Sequence, residues 1–351
     1  MYIFKKRIVG MGVLLSILLS LAGCSPKNED TKDTDVTENK IQIGLSFDSY
    51  VIERWTRDRE VFVSTAQDLG AEVNVQNANG EIKEQISQIE YLIDKHMDVI
   101  VVIAVDSEAL SDVVKRAKEA GIKVLAYDRL VRNANVDLYI SFDNEQVGRL
   151  MGQALVDSVP DGGNIITIFG PTTDHNIVLM EQGFQDAMKG HNLNIIYSQY
   201  AKGWLAEEAY DAMNEALAKT KDIDGVLCGN DNLATQVVLA LSENRMAGKV
   251  VVTGQDADLV ACQRIVEGTQ TMTVYKPVDK LAKAAAEYAV KLAKGENIGV
   301  VETIDDGRNA VPYVKLEPIA VNKDNIRKEI IDGGFQKEED VYMNVPTEVS
   351  K

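Results

Sequence analysis

The sequence predicts an α/β fold with two similar lobes, each built on an open and mostly parallel sheet. Short β-rich apolar runs alternate with longer segments of helical periodicity from Ile41 to Ala293. The run from Val99 to Ala104 is apolar throughout, as expected of a central parallel strand that is covered on both faces. A Pro-Asp-Gly-Gly turn at 160–163 separates two sets of these units. The 351 residues therefore suit two domains, each with its own core.

The first set of units predicts five strands and three helices. Repeated strand–helix–strand units require parallel pairing and right-handed crossovers, which puts helices on both faces of the sheet. The first helix ends before Gly70, because glycine is a common helix stop. The predicted strands are 41–47, 72–76, 99–104, 123–127 and 138–142, and the predicted helices are 55–69, 84–95 and 107–120.

The second set repeats this organisation. Ligands of open α/β sheets bind beyond the carboxyl ends of the strands, so two facing lobes would hold a ligand in the cleft between them. The predicted strands are 164–169, 194–199, 225–228, 250–254 and 271–275, and the predicted helices are 177–189, 205–218, 233–244 and 278–293.

The N-terminal region is typical of an exported lipoprotein. Three basic residues at 5–7 precede an apolar segment, 8–21, that is shorter than an ordinary membrane span. This segment leads into Leu-Ala-Gly-Cys, ending at Cys24, which resembles a bacterial lipobox. We therefore expect a signal peptide over 1–23 and a lipid anchor on Cys24, with an uncleaved anchor helix as the alternative. The polar, acidic segment 24–40 predicts a flexible tether.

Composition and charge exclude several classes of protein and site. The formal net charge of -17 argues against a nucleic-acid partner, and 45% hydrophobic residues argue against disorder of the whole chain. The acidic tether lacks the glycine and the spaced glutamate of an EF-hand, so no metal site is predicted. Cys228 and Cys262 lie in apolar stretches. We expect buried free thiols there, although an exported protein could also pair them.

Charged, amide and indole side chains recur directly after the predicted strands, where the cleft should lie. A sugar hydroxyl both donates and accepts hydrogen bonds, so a mixture of carboxylates, amides and cations suits a polyol. An indole can also stack on the apolar face of a pyranose ring. The residues at these strand ends are Asp48, Glu53-Arg54-Trp55, Asp128-Arg129, Asp174-His175-Asn176, Gly203-Trp204, Asn230-Asp231, Gln255-Asp256 and Lys276-Pro277.

The same positions also have purely structural interpretations. Asp and Asn often cap helices, and we interpret Asp258 and Asn232 as caps because each stands before a predicted helix. Asp128 and Arg129 could form a local ion pair without a ligand, and Trp55 could belong to the core. The pattern of residues alone leaves these alternatives open.

Several longer motifs resemble those of one family, the D-xylose-binding proteins of bacterial ABC sugar transporters, which are type 1 periplasmic binding proteins. The resemblance runs from about Ile41 to about Gly334, and the string at 269–277 is its most specific part. The motifs are Ile43-Gly44, Glu53-Arg54-Trp55, Gln76-Asn77-Ala78-Asn79-Gly80, Leu125-Ala126-Tyr127-Asp128-Arg129, Tyr139-Ile140-Ser141-Phe142-Asp143-Asn144, Gly254-Gln255-Asp256-Ala257-Asp258 and Thr269-Gln270-Thr271-Met272-Thr273-Val274-Tyr275-Lys276-Pro277.

The resemblance implies a two-lobed protein with a three-segment hinge. The crossings between the lobes are expected near Phe142-Asp143, near Lys276-Pro277 and near Asp305 to Arg308. The implied organisation is a signal peptide (1–23), a tether (24–40), an N-terminal lobe (41–142 and 278–306), a C-terminal lobe (143–277 and 307–335) and a tail (336–351).

The resemblance also implies the ligand contacts, with the two indoles covering opposite faces of a sugar ring. The implied contacts are Arg54, Trp55, Asp128 and Arg129 from the first lobe and Asp174, Asn176, Trp204, Asn230, Asp256 and Lys276 from the second. One departure is visible, because a family stretch of Asp-Asn-Asn is Asp174-His175-Asn176 here. A histidine at this place would add pH sensitivity near neutrality.

The function implied is extracytoplasmic binding of D-xylose, without catalysis or a cofactor, followed by hinge closure and delivery to an ABC-type permease. An alternative output is docking of the closed form on the external domain of a sensor histidine kinase. A sugar-responsive repressor would instead need a DNA-binding motif where the signal and the tether lie. Asp128, Asp174 and Asp256 could suggest glycoside hydrolysis, but guanidinium partners are expected to keep these acids ionised. No nucleophile elbow or phosphate loop is present.

Overall fold

The computed structural model describes residues 40–345. The predicted signal peptide, Cys24 and nearly all of the tether lie outside these residues. The described chain forms two α/β lobes, each with one sheet, as the alternation of strands and helices predicted. All ten predicted strands are present, with ends within two residues of the expected positions.

The strands, in chain order, are β1 (Gln42–Phe47), β2 (Glu72–Asn77), β3 (Val99–Val102), β4 (Lys123–Tyr127), β5 (Leu138–Phe142), β6 (Gly163–Phe169), β7 (Leu193–Tyr200), β8 (Gly225–Cys228), β9 (Val251–Gln255), β10 (Met272–Tyr275), β11 (Thr303–Asp305), β12 (Ala310–Leu316) and β13 (Ile319–Asn322). The α-helices are α1 (Arg54–Asp68), α2 (Ile82–Asp94), α3 (Ser111–Glu119), α4 (Asn144–Ser158), α5 (His175–Met188), α6 (Ala206–Lys219), α7 (Asp231–Glu243), α8 (Leu259–Glu267), α9 (Val278–Ala293) and α10 (Glu338–Val341). A short π-helix spans Arg327–Ile331.

Each sheet is parallel except for one edge strand. The first sheet has the order β11-β12-β5-β4-β3-β1-β2, and only β11 is antiparallel to its neighbour. The second has the order β13-β10-β9-β8-β6-β7, and only β13 is antiparallel. Every residue of β3 is buried, in agreement with its continuous apolar sequence. The carboxyl ends of the parallel strands place the polar residues that follow them at one edge of each lobe.

The chain passes between the lobes three times. The first passage follows β5 at Asp143, whose carboxylate accepts a hydrogen bond from the backbone N–H of Gln146 and so caps α4. The second passage is Lys276-Pro277, between β10 of the second sheet and α9, which packs on α1 of the first lobe. The third is Glu317-Pro318, between β12 and β13.

The expectation of a third crossing near Asp305 to Arg308 is wrong, because those residues form a hairpin turn within the first lobe. The turn joins β11 to β12, and β12 pairs with β5 of the first sheet. The buried carboxylate of Asp306 accepts backbone N–H groups of Ala134, Asn135 and Asn309, which ties the turn to the first lobe. The N-terminal lobe therefore extends to Leu316 rather than ending at 306.

The segment expected to be a tail is partly folded. Val341 of α10 is fully buried, and Gln263 of α8 donates a hydrogen bond from its side chain to the backbone oxygen of Asp340, 2.8 Å away. Residues 336–345 thus belong to the second lobe, where they cover an apolar surface of α8. The remaining predicted tail, 346–351, lies outside the described residues.

Sequence periodicity missed several elements: α4, α8, α10 and the three strands after residue 300.

Between residues 40 and 345 no helix is both long and apolar enough to span a bilayer. The same range contains no cluster of three or more metal-ligating side chains. Cys228 and Cys262 are buried free thiols, as expected, and burial raises the pKa of both thiols well above its ordinary value.

Candidate functional site

A cavity lies between the lobes, where the carboxyl ends of both sheets meet. All ten residues implied as ligand contacts line it. Its walls are formed by Ile52, Arg54, Trp55, Asp128, Arg129, Asn144, Asp174, Asn176, Met180, Trp204, Asn230, Gln255, Asp256 and Lys276.

Arg54 is a buried cation held by carboxylates. It is the first residue of α1, where the positive end of the helix dipole disfavours a cation. Two acids offset this cost, because its guanidinium makes two hydrogen bonds to Asp58, at 3.0 and 3.1 Å, and lies 3.0 Å from Asp128. Tyr127 in turn donates a hydrogen bond from its hydroxyl to Asp58. Asp58 stands four residues after Arg54 on the same helix, a spacing that brings their side chains together, so the sequence held a usable signal for this pair.

Arg129 joins the two lobes. Its guanidinium lies 2.6 Å from a carboxylate oxygen of Asp48 in the first lobe and 2.9 Å from one of Asp174 in the second. It also donates to the backbone oxygen of Ala104 at 3.0 Å. Burial alone would lower the pKa of Arg129, but the nearby carboxylates raise it. Arg129 is therefore a permanent cation that contacts both sides of the cleft.

A second bridge between the lobes is built from hydrogen bonds rather than charge. The side-chain amide of Asn176, on α5, donates to the backbone oxygen of Asp128 at 3.1 Å. Tyr139, on β5, donates its hydroxyl hydrogen to Asn176 at 3.2 Å and to the same Asp128 oxygen at 3.0 Å. These contacts exist only when the lobes are close together, so the structure is a closed form.

Asp256 and Lys276 form an ion pair on the second lobe, with 2.7 Å between carboxylate and ammonium. Both side chains are almost completely buried. Asp256 and Ala257 have φ values of 101° and 57°, in the left-handed region that costs free energy for residues other than glycine. Asp128 and Trp204 also have positive φ, 60° and 59°. Three residues of the cavity wall therefore have strained backbone, which is common at functional sites.

The two indoles are buried walls of the cavity, with 1% of Trp55 and 5% of Trp204 exposed. The guanidinium of Arg54 lies 4.5 Å from the centre of the Trp55 ring, a cation–π contact that fixes the indole. Trp204 rests against Gly170, where a Cβ atom would lie only 2.4 Å from the indole. Glycine at 170 thus makes room for the ring. In the described chain neither indole N–H has a hydrogen-bond partner.

Helix capping positions two of the polar walls. The carboxylate of Asp174 accepts the backbone N–H of Asn176 at 3.0 Å, and the side-chain oxygen of Asn230 accepts that of Leu233 at 2.9 Å. The interpretation of Asn232 as a cap is wrong, because it lies inside α7 and Asn230 is the cap. Asp258 precedes α8 but makes no capping hydrogen bond through its side chain. Asp174 and Asn230 can thus cap a helix and also line the cavity, because the two roles use different side-chain atoms.

Several buried polar atoms of the cavity have no partner among residues 40–345: Nη2 of Arg129, Nδ2 of Asn230 and Oε1 of Gln255. Unpaired buried polar groups are rare and costly, about 1–3 kcal/mol each. These three atoms are two hydrogen-bond donors and one acceptor. The cavity is therefore suited to a small polar molecule that can both donate and accept hydrogen bonds.

The model of a periplasmic binding protein domain matches residues 43–297 of this chain. The chain belongs to the periplasmic binding protein family. Two curated relatives are 45% identical over 307 residues, or 86% of this chain: the D-xylose-binding periplasmic proteins of Haemophilus influenzae and Escherichia coli, of which 92% and 93% are covered. A solved ABC transporter solute binding protein from Clostridium phytofermentans, with bound β-D-glucose, has a TM-score of 0.78 at 28% identity. That match covers 86% of this chain and 99% of the solved one.

Four wall residues of this periplasmic binding protein were not among the implied ligand contacts: Ile52, Asn144, Met180 and Gln255. Asn144 and Gln255 stand inside two of the family motifs, Asn144 two residues after β5 and Gln255 at the end of β9, so their position was a usable signal. The side-chain amide of Gln255 donates to the backbone oxygen of Gly229 at 2.6 Å, which orients its free oxygen. Ile52 and Met180 gave no signal, since apolar residues at such positions usually belong to the core.

The carboxyl groups of the cavity do not all have a lowered pKa, as their cationic neighbours would suggest. Burial alone would raise the pKa of Asp128, but the cations of Arg54, Lys276 and Arg129 outweigh it and lower that pKa. For Asp174 burial wins over Arg129 and raises the pKa. The expectation that guanidinium partners keep the acids ionised therefore describes Asp128 better than Asp174.

His175, where the resemblance implies an asparagine, is half-buried and does not line the cavity. Its pKa is lowered by burial and by the cation of Arg132, while Glu108 opposes the shift. Its position at the start of α5 also disfavours the protonated form. Its titration therefore moves to more acidic pH, away from the neutral range.

Proposed function

We propose that this protein binds D-xylose between its lobes and delivers the sugar to the permease of an ABC-type transporter. The observation that supports binding of a small polyol is the convergence of both lobes on one cavity lined by cations, acids, amides and two indoles. Sugar hydroxyls would pair with groups such as Nη2 of Arg129 and Nδ2 of Asn230. The indoles would cover the apolar faces of the ring.

The choice of D-xylose among sugars rests on the relatives. The two that are 45% identical are named as D-xylose-binding proteins, whereas the ribose import binding protein of Escherichia coli is 25% identical over 242 residues. A pentopyranose lacks the hydroxymethyl group of glucose, so a tight cavity can exclude the larger sugar.

The proposed mechanism is closure of the lobes around the sugar. A sugar that contacts both lobes favours the closed form, because its contacts are complete only there. Arg129 and Asn176 already bridge the lobes, and the three hinge segments absorb the rotation. The permease would then recognise the closed shape. Transport is favoured over sensing by a histidine kinase because the solved neighbour is described as an ABC transporter solute binding protein.

We further propose that the protein is non-enzymatic and is anchored outside the cytoplasm by a lipid on Cys24. The family is one of binding proteins, and the sequence before Cys24 resembles a lipobox. Replacing Cys24 by Ser is expected to release the protein from the membrane fraction. Incubation with an aryl xyloside is expected to release no aglycone.

Calorimetric titration of the purified protein with D-xylose, D-ribose and D-glucose tests the proposed function. We expect saturable binding of D-xylose at one site per chain, with affinity at least tenfold weaker for the other two sugars. Equal affinity for all three would contradict the assignment of D-xylose. Binding of none would contradict the proposed function as a whole.

A further inference from the structure

Arg57 makes a contact between the lobes outside the sugar cavity. It lies on α1 and pairs with Asp279, in the first turn of α9, through two hydrogen bonds of 2.5 and 2.7 Å. Its remaining nitrogen, Nη1, donates to the backbone oxygen of Phe335 at 3.1 Å. The guanidinium also lies 4.6 Å from the centre of the Phe335 ring. All three nitrogens of one guanidinium are thus engaged.

The partners of Arg57 belong to different lobes. Both α1 and α9 pack in the first lobe, so the pair with Asp279 is internal to that lobe and orients the guanidinium. Phe335 belongs to the apolar cluster of the second lobe, and its ring packs 4.7 Å from that of Tyr275 at the end of β10. The contact between Arg57 and Phe335 therefore spans the lobes next to the hinge segment Lys276-Pro277.

The same contact is linked to the cavity through short connections on both sides. Arg57 is one helical turn from Arg54, which binds Asp128 at the cavity wall. On the other side, Gln336 follows Phe335 and donates from its side chain to the backbone oxygen of Ala257, at 3.3 Å. Ala257 is the strained residue directly after Asp256. Movement of the lobes at this contact would thus displace residues at both walls of the sugar site.

We propose that the contact of Arg57 with Phe335 is a clamp that favours the closed form and thereby sets the affinity for sugar without touching it. This inference rests on the proposed function. The apparent affinity for sugar is the intrinsic affinity of the closed form multiplied by the population of the closed form. Loss of a contact made only on closure lowers that population. Binding is then weakened by the same factor.

The clamp is partly exposed, with 38% of the Arg57 side chain accessible, so its effect is moderate. Between the lobes, Arg57→Ala removes one hydrogen bond from a charged donor and one cation–π contact. The two hydrogen bonds to Asp279 that it also removes lie within the first lobe. We expect the dissociation constant for D-xylose to rise about tenfold, equivalent to about 1.4 kcal/mol. Arg57→Lys is expected to behave similarly, because an ammonium cannot pair with Asp279 through two bonds and also reach the Phe335 oxygen.

The matched control is Arg116→Ala. Arg116 pairs with Glu90 inside the first lobe, and 48% of its side chain is exposed, but it makes no contact with the second lobe in the described structure. A third variant, Phe335→Leu, keeps the backbone oxygen and much of the apolar volume while removing the ring. Calorimetry gives the affinity of each variant, and urea unfolding of the sugar-free protein reports any general loss of stability. Fluorescence energy transfer between dyes on the two lobes reports closure.

The clamp predicts weaker binding in Arg57→Ala and Phe335→Leu than in Arg116→Ala, with a shift of the lobes toward the open distance at equal sugar concentration. Saturating D-xylose is expected to restore the closed distance. Wild-type affinity in Arg57→Ala would overturn the clamp while leaving the proposed function intact. If wild-type protein binds no D-xylose, the proposed function fails. In that case the proposed clamp is tested by the inter-lobe distances of sugar-free Arg57→Ala and Phe335→Leu, which must be longer than in the wild-type protein.

Discussion

Replacing Asp256 by Asn tests the polar wall of the second lobe. The substitution keeps the size of the side chain and one oxygen acceptor but removes the negative charge. Asn also tolerates positive φ better than most residues, so the backbone at φ 101° is expected to persist. The change therefore isolates the charge of Asp256, which lies 2.7 Å from Lys276 and 3.9 Å from Arg54.

Two free energies change, and they differ in size. A sugar hydroxyl that donates to a carboxylate contributes roughly 1.5–3 kcal/mol, and one that donates to a neutral amide oxygen roughly 0.5–1.5 kcal/mol. Removing the charge therefore costs roughly 1–1.5 kcal/mol and weakens binding by roughly 5- to 12-fold, at 1.4 kcal/mol per factor of ten. Stability falls as well, because Lys276 is left buried without its carboxylate, although the remaining amide oxygen can still accept a hydrogen bond from it. We expect the free energy of unfolding to drop by about 1–3 kcal/mol.

Calorimetry with D-xylose and urea unfolding separate these two effects. Asp211→Asn, on the exposed face of α6, serves as the control and is expected to leave both quantities unchanged. An affinity of Asp256→Asn within twofold of wild type, with folding intact, would refute the role of Asp256 as a sugar contact. A loss of stability without a loss of affinity would mean that Asp256 serves only to hold Lys276.

Three further predictions concern the cavity wall, the departure from the family pattern and the buried thiols. Gly170→Ala is expected to displace the indole of Trp204, because the new Cβ would lie 2.4 Å from it; a shift in tryptophan emission and weaker sugar binding would show this, and an unchanged spectrum would argue against it. The lowered pKa of His175 means that the unfolded chain binds more protons below its ordinary pKa, so stability falls as the pH drops through about 6.5. His175→Asn is therefore expected to lose less melting temperature between pH 7.5 and pH 5.5 than wild type, and equal losses would contradict the assignment. Cys228 and Cys262 are expected to react with a thiol reagent only after unfolding, since both are buried with raised pKa values; rapid labelling of native protein would contradict this.

Hydrophobic periodicity was sufficient to predict the central strands and the two-lobed organisation. Buried parallel strands such as β3 are continuous apolar runs, so local sequence determines them strongly. Edge strands are less constrained, because one side has no partner and burial is incomplete. β11 and β13 are edge strands of this kind. β12 is paired on both sides, but it contains Pro312, which argues against a strand in the sequence. With all three strands missed, the third crossing was placed at a hairpin turn instead of at Glu317-Pro318.

The residues that line the cavity could be grouped from the sequence because they follow strands, where fold and position determine which side chains converge. Their contact with a sugar stays a prediction. Most of their supporting contacts could not be predicted, since they depend on residues distant in the chain; the pair of Arg54 with Asp58, four positions apart, is an exception. The pair of Arg129 with Asp48 joins residues 81 positions apart, and that of Arg57 with Asp279 joins residues 222 positions apart. Asn230 shows the same limit locally, because the sequence alone could not decide whether it or Asn232 caps α7.

A crystal structure of the protein grown with D-xylose tests the central claim most directly. We predict one pyranose between Trp55 and Trp204, with its hydroxyls within hydrogen-bond distance of Arg129, Asn230 and Asp256. A sugar bound elsewhere on the molecule, or a closed cavity that holds none at saturating xylose, would contradict the account.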